Sequence, residues 1–439
     1  MASIARAIAC ELLNKWETGK ADPQTLAARE IDKKIEQRDQ AFARELFFGV
    51  IRYRRKLDYY IGKFANLARI PLPLKTILRL GAYQLLMMPN IPEYAVVSET
   101  VELAKSGGQK RAAGFVNATL RNIIRNRGKI EMPDCESNPI SYLGIRYSYP
   151  DWLVRRYLKR YGFAETSQLL EFGNQPAPIC FYINSAVVNK ESLIAELRNS
   201  PVQIRPVDSF PDYYECDNPT ELIKSKAFAD GKVVIADPAQ SLAVEALELR
   251  PGAEVWDIFA SPGGKTIKLA GIVGEKGMVF ASDKYPDRME LLRQNVARCR
   301  LTNIILFRAD ILTFTPRRKF KYILADVPCS CTGTMRRNPD LRWRIQEKDI
   351  ARLAANQYRL LTAASAFLAD NGRLVYSTCS NEPEENHELI ERFLASNKKF
   401  RLIELNKSKQ FVDKQGMITT RPSKDKIDGI FVAAIEKIG

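Results

Sequence analysis

The chain is poor in residues that many enzyme classes require. It has a single histidine, His387, and eight cysteines among 439 residues. No two cysteines form a CxxC pair, and cysteine this sparse builds no disulfide scaffold. Zinc sites of the usual kinds are not expected, nor any other resident metal. A hydrolase triad would have to use that one histidine, which otherwise reads as structural. No apolar run reaches the roughly 18 residues of a membrane helix, so no membrane partner is expected. The opening stretch carries Glu11 and Glu17 instead of a cationic region, an apolar block and a cleavage site. It therefore reads as a helix and not as a secretion signal. A reducing cytoplasm is the natural compartment.

Acidic residues are also in short supply: 67 Lys and Arg face 51 Asp and Glu, a net charge of +16. A protein this basic usually meets a polyanion. The excess is uneven. Residues 1–130 hold 23 Lys/Arg against 12 Asp/Glu, so most of it lies in the first third. That third reads as helical. Ile4, Ile8, Leu12 and Trp16 share one face, and helices fit Asp39 to Phe64, Leu74 to Met88, Tyr94 to Ala104 and the stripe Val116, Leu120, Ile123, Ile124.

Length predicts two to four domains. Pro133, Pro139 and Pro150 suggest a linker. We read residues 1–132 as an all-α domain, 133–232 as a linker and small mixed α/β region, and 233–439 as an α/β domain. In the middle region a helix fits Trp152 to Phe172, a strand Ile179 to Asn184 and a helix Lys190 to Asn199. From 233 strands and helices alternate: strands at Glu254–Ile258, Met278–Ser282, Asn303–Arg308, Lys321–Ala325 and Arg373–Ser377, helices near 264–273, 286–300 and 346–370. This rhythm predicts a parallel, doubly wound sheet of Rossmann-like type, with ligands at the carboxyl ends of its strands.

Each strand runs into polar residues. The first meets Asp257 and the loop Phe259-Ala260-Ser261-Pro262-Gly263-Gly264-Lys265-Thr266. The next three end at Asp283, Asp310 and Asp326, and the last at Thr378-Cys379-Ser380. The GGKT run suggests a phosphate-binding loop, but the upstream glycine such a loop requires is missing, with Ala260 in that stretch. A nucleoside ligand without phosphates fits better, with Asp283 placed 19 residues after Gly264 for ribose hydroxyls. S-adenosylmethionine is such a ligand. Two cysteine segments follow adjacent strands: Asp326-Val327-Pro328-Cys329-Ser330-Cys331-Thr332-Gly333-Thr334 and Tyr376-Ser377-Thr378-Cys379-Ser380. Arg336, Arg337, Arg342 and Arg344 lie nearby and are candidates for holding RNA phosphates.

With these motifs the C-terminal half resembles the RNA (cytosine-5) methyltransferase family. The match takes in the glycine loop, both cysteine segments, Glu384-Glu385-Asn386 and Asp428-Gly429-Ile430-Phe431-Val432. The N-terminal third resembles the helical RNA-binding fold of the antitermination factor NusB, through Ala41-Phe42-Ala43-Arg44-Glu45-Leu46, Gly49-Val50, Leu57-Asp58 and Phe115-Val116-Asn117. The resemblance implies an S-adenosylmethionine-dependent enzyme that makes 5-methylcytosine in small-subunit ribosomal RNA, acting as a monomer without metal. It implies Cys379 as nucleophile toward cytosine C6, Asp326 at the cytosine N3 edge and Cys329 in product release. It implies Phe259, Ala260, Ser261, Pro262, Gly263, Gly264 and Lys265 around the methionine part of the cofactor, with Asp326 beside them, Asp283 at its ribose and Asp310 near its adenine. Cys379 must ionise to react, and Lys265 or backbone N–H groups are the candidates to assist. Three positions depart from the family pattern: Ser261 for alanine, Phe259 for a small residue or cysteine, and Cys331 for glycine. The last adds a third thiol, at a position where an unusual backbone angle would fall on a side-chain-bearing residue. Three rival readings are a DNA cytosine methyltransferase, the same chemistry on transfer RNA or large-subunit RNA, and a non-catalytic RNA-binding factor.

Overall fold

The computed structural model describes residues 3–19, 22–31 and 36–438, without the side chains of 37 and 38. The chain forms two compact units, Met1–Asn174 with Asn338–Arg344, and Gln175–Arg337 with Ile345–Gly439. No helix among the described residues is long and apolar enough to cross a membrane.

The first unit is helical. Its helices are Ile4–Glu17, Pro23–Glu30, Gln37–Gly62, Leu72–Met87, Glu93–Ser106, Ala113–Asn126, Pro139–Tyr147 and Asp151–Phe172, the last interrupted at Gly162. The expected apolar stripes point inward: Leu12, Phe47, Leu78, Val96 and Leu120 are buried in one core. The linker expected after residue 132 contains the helix Pro139–Tyr147, and the expected boundary falls inside this unit. The reason is local. Asn138 accepts the Ser141 N–H as a cap, and Pro139 sits in the first turn, where a missing N–H is harmless. Proline punctuation here starts a helix.

The same unit takes in residues 338–344 from the far half of the chain. Arg342 is fully buried there. Its guanidinium donates to Asn174 Oδ1 at 2.9 Å, Tyr149 OH at 3.0 Å and the Gly173 carbonyl at 3.2 Å, and stacks on the Tyr149 ring. The expectation that Arg342 holds phosphate is therefore corrected, because its guanidinium is buried and bonded inside the helical core.

The second unit holds two sheets. The smaller comprises β1 (Ile179–Ile183), β2 (Ile204–Val207), β3 (Phe210–Cys216) and β4 (Val233–Ile235), antiparallel in the order β2-β3-β1-β4. The larger is built from β5 (Glu254–Asp257), β6 (Met278–Asp283), β7 (Ile304–Arg308), β8 (Phe320–Asp326), β9 (Leu368–Thr378), β10 (Phe400–Leu402), β11 (Ile418–Thr419) and β12 (Phe431–Lys437). Its order is β10-β12-β9-β8-β5-β6-β7, with β11 beside β12. Strands β5 to β9 are parallel, as the alternating pattern predicts, and β12 joins β9 antiparallel. Helices Gly264–Val273, Pro286–Arg298 and Glu347–Ser365 connect the parallel strands. The chain leaves β5 toward β6 and β7, then returns to place β8 on the other side of β5. That reversal opens a crevice at the strand ends.

Candidate active site

The crevice is lined by Asp237, Asp257, Phe259 to Pro262, Gly264, Lys265, Asp326, Cys379 and the turn Asp428-Gly429-Ile430, among others. Its floor is the β5 turn. Ile258 N–H donates to the Leu324 carbonyl and Ala260 N–H to the Ser282 carbonyl, which fasten the turn to β8 and β6. Gly263 takes φ 112°, a left-handed conformation that an L side chain would strain, and the helix starts at the next residue. Ser261 Oγ donates to the Arg288 carbonyl while Arg288 donates back to the Ser261 carbonyl. The serine in place of alanine thus gains a partner. Tyr182 of β1 donates to the Gly264 carbonyl at 2.9 Å, a contact with no signal in the sequence.

Asp257 is buried and accepts the Thr266 hydroxyl on Oδ2 at 2.7 Å, while its Oδ1 meets no protein donor. Burial pushes its carboxyl up to about 7. Lys265 Nζ lies 2.7 Å from Asp326 Oδ2, and Ser377 donates to Asp326 Oδ1 at 2.7 Å. Burial opposes the lysine charge, but Asp326 outweighs it and holds the ammonium above its usual range. Asp283 and Asp310 sit outside the crevice lining. Asp283, at the end of β6, is buried and ion-paired with Arg288 at 3.2 Å. Asp310 pairs with Lys284 at 2.9 Å, which holds its carboxyl below the usual range.

The thiols come together from two loops. Cys379 Sγ is 3.3 Å from Cys329 Sγ, and Cys331 Sγ is 3.9 Å from Cys329 Sγ. Cys331 does adopt the left-handed conformation, at φ 57°. The hydrogen bond from Cys329 favours the Cys379 thiolate, but bonding to Cys331, burial and the nearby Asp326 raise the thiol well above its ordinary value. Bonding to Cys331 and Cys379 together with burial pushes Cys329 up as well.

A polar network holds the two loops in place. Glu385 accepts Ser330 N–H at 2.9 Å and Gln357 Nε2 at 2.7 Å, and both Ser330 and Ser380 hydroxyls close on its other oxygen. Thr378 and Asn386 bond each other, and Asn386 donates to the Ser380 carbonyl. Gly333 N–H donates to the Cys379 carbonyl at 3.0 Å, and Gly429 N–H to the Gly333 carbonyl at 2.9 Å. These contacts explain why the segments around Gly333, Glu385 and Gly429 accompany the cysteines.

Asp237 and Asp428 carry no site signal in the sequence but line the crevice. Arg337 joins them, donating to Asp237 at 2.6 Å and to Asp428 at 2.9 Å. The expectation that Arg337 holds phosphate is corrected, because it is spent on two carboxylates; Arg336, half-buried, donates to the carbonyls of Gln175 and Pro176. Burial pushes Asp428 up to about 7. Arg344 is exposed and pairs with Asp340. His387 lies 2.6 Å from Asp413 and against Phe431, a structural placement.

This sheet order and strand-end site define an α/β methyltransferase domain, here carried in a chain with a helical unit. Family models agree: 16S rRNA methyltransferase RsmB/F matches residues 244–436, the NusB family 3–125, and the RsmF/B-like ferredoxin-like domain 149–221. The probable ribosomal RNA small subunit methyltransferase B of Synechocystis is 32% identical over 91% of both chains. That of Bacillus subtilis is 29% identical over 99% of both. The crystal structure of PH0851 superposes with a TM-score of 0.83 over the full length of both chains at 24% identity, which shows the same fold. The chain belongs to the RsmB/F methyltransferase family.

Proposed function

We propose that this protein transfers a methyl group from S-adenosylmethionine to C5 of a cytosine in small-subunit ribosomal RNA, in the cytoplasm, through a covalent adduct on Cys379. The observation that carries the reading is that Cys379, Asp326 and Lys265 line one crevice at the ends of β9, β8 and β5, with Cys329 3.3 Å behind the nucleophile. The relatives' names, which specify ribosomal RNA of the small subunit, support the substrate.

The residues present fit the cofactor. Asp257 offers a buried carboxylate oxygen with no protein donor, suited to an ammonium group. The turn Phe259 to Lys265 would hold the methionine part, Asp283 the ribose, and Asp310 would stand near the adenine. When bound, the cofactor supplies an electrophilic methyl group and a positive charge. A cation in the crevice favours ionisation of Cys379. The Cys379 thiolate adds to C6 of the cytosine, which makes C5 electron-rich enough to accept the methyl group. Asp326, oriented by Lys265 and Ser377, would hydrogen-bond the N3 edge, and the proton shared there offsets the negative charge that addition delivers to N3. The C5 proton then passes to a base, a step that Cys329 assists; its bonding pair re-forms the C5–C6 double bond, and the C6–sulfur pair returns to Cys379 as thiolate. The target base must leave its stack, at about a few kcal/mol, which favours a loop or distorted RNA.

The test incubates labelled S-adenosylmethionine with separated small-subunit, large-subunit and transfer RNAs, using the parent, Cys379→Ala and Cys329→Ala. We expect labelled 5-methylcytosine in small-subunit RNA, its loss with Cys379→Ala, and a protein–RNA adduct that accumulates with Cys329→Ala. Label that persists without Cys379 refutes the chemistry, and label in transfer RNA alone refutes the substrate.

A further inference from the structure

Catalysis as outlined above uses two thiols, yet the loops assemble three. Cys329, Cys331 and Cys379 place their sulfur atoms within 4.8 Å of one another, with Cys329 3.3 Å from Cys379 and 3.9 Å from Cys331. Three sulfurs bound to one Zn2+ at about 2.3 Å stand ~4 Å apart in trigonal geometry. The observed spacing needs only small side-chain rotations to match. Sequence spacing hid this arrangement, because Cys329 and Cys379 are 50 residues apart and only tertiary structure joins them.

We propose that Cys329, Cys331 and Cys379 form a three-thiolate site for a soft d10 cation, Zn2+ or its heavier congener Cd2+, and that occupancy withdraws Cys379 from reaction with cytosine. The first half stands on the sulfur geometry alone, and the second rests on the role proposed for Cys379. Binding breaks three S–H bonds, releases three protons to solvent and forms three metal–sulfur bonds, with no change in oxidation state. The product carries one net negative charge. Lys265, which interacts electrostatically with Cys379, is placed to offset it. Thiolate is the ligand class that selects such cations over Mg2+ or Ca2+. Cys331 is the residue that turns a pair into a triad. Its left-handed backbone is one that glycine adopts freely, so Cys331→Gly removes the third ligand without straining the loop.

The experiment titrates the reduced, metal-free full-length protein with Cd2+ and follows the ultraviolet thiolate-to-metal charge-transfer band. Methyl transfer is measured on the same samples. We expect one equivalent bound tightly, with a band of three-thiolate intensity. Cys331→Gly should weaken binding by roughly 100-fold or more, since losing a ligand exceeds the 10–100-fold that a supporting partner is worth. Stoichiometric Cd2+ should abolish methyl transfer by the parent, and a chelator should restore it. Equal binding by parent and Cys331→Gly, or no tight band in the parent, overturns the site. A bound cation that leaves methyl transfer intact overturns the withdrawal of Cys379. Absence of methyl transfer from the metal-free parent, with the band unchanged, counts against the function proposed above and leaves the site standing.

Discussion

Gly333→Ala tests whether backbone contact between loops, and no side-chain chemistry, sets the position of Cys379. A Cβ at 333 would lie 2.5 Å from the Gly429 carbonyl oxygen, 2.8 Å from its Cα and 2.9 Å from its carbonyl carbon. All three are backbone atoms, so no side chain can swing aside. Ordinary contact begins at 3.4 Å, so the loops must part by roughly 1 Å. Two hydrogen bonds stretch with them, Gly333 to Cys379 and Gly429 to Gly333. At about 1 kcal/mol each, plus about 2 kcal/mol for overpacking, the variant should lose about 4 kcal/mol. For a unit of this size that lowers Tm by roughly 8–16 °C. A displacement near 1 Å at the nucleophile should also cut single-turnover methyl transfer by about 100-fold. Scanning calorimetry and a quenched-flow assay read the two effects. Gly264→Ala is the control: its nearest neighbour is the tip of Gln240 at 3.5 Å, so Tm should stay within about 2 °C of the parent. A Gly333→Ala protein with parental Tm and parental rate refutes the reasoning.

Other expectations follow from buried groups. Arg342→Met strands the Asn174, Tyr149 and Gly173 acceptors in the helical unit and should cost about 1–3 kcal/mol by urea denaturation; an unchanged midpoint refutes it. Asp326→Asn leaves Lys265 buried without its carboxylate and should lower methyl transfer by about 10²–10³-fold, whereas retention of a tenth of the parental rate refutes the role. Asp257, with its folded pKa raised to about 7, binds a proton that the unfolded chain releases near pH 4. Its contribution to stability is therefore lost as pH rises from about 4 to 7. Relative to Asp257→Asn, the parent should lose stability across that window, and parallel stability–pH curves refute it.

Much of the α/β half was legible because its strands are short apolar runs closed by polar residues. Those runs fell on β5 to β9 to within a few residues, except that β9 begins earlier, at Leu368. Of the prolines after 132, Pro133 lies in irregular chain as a linker would, but Pro139 opens a helix, and the Asn138 cap is the sign of it. Arg337 and Arg342 were misread for a different reason. Sequence treats arginine as solvated charge, whereas here carboxylates or carbonyls from distant segments enclose it. Asp237 lies 191 residues from Asp428, so nothing local links them. The cysteines stood out by their place after strand ends, but the third thiol's proximity depended on the left-handed turn at Cys331.

The charges around the crevice give the proposed chemistry an order. Asp237, Asp257, Asp326 and Asp428 line it, against Lys265 within and Arg337 across Asp237 and Asp428. Burial leaves Asp257 and Asp428 poised near neutrality, and it helps keep Cys379 protonated. A thiolate formed in this crevice without a cation would add a negative charge beside Asp326, which the surroundings oppose. A cation that arrives first reverses the balance, because it stabilises every ionised group within a few ångströms. In the proposed reaction Cys379 is thus withheld as a thiol until a positively charged ligand is in place, and a thiol resists adventitious oxidation far better than a thiolate. A soft cation meets the same surroundings from the other side: it too brings positive charge to a group of acids and thiols that hold their protons weakly once that charge is present. The proposed activation by a sulfonium and the proposed capture by Zn2+ are in this sense two outcomes of one electrostatic arrangement, in which Cys331 supplies the third ligand for the second.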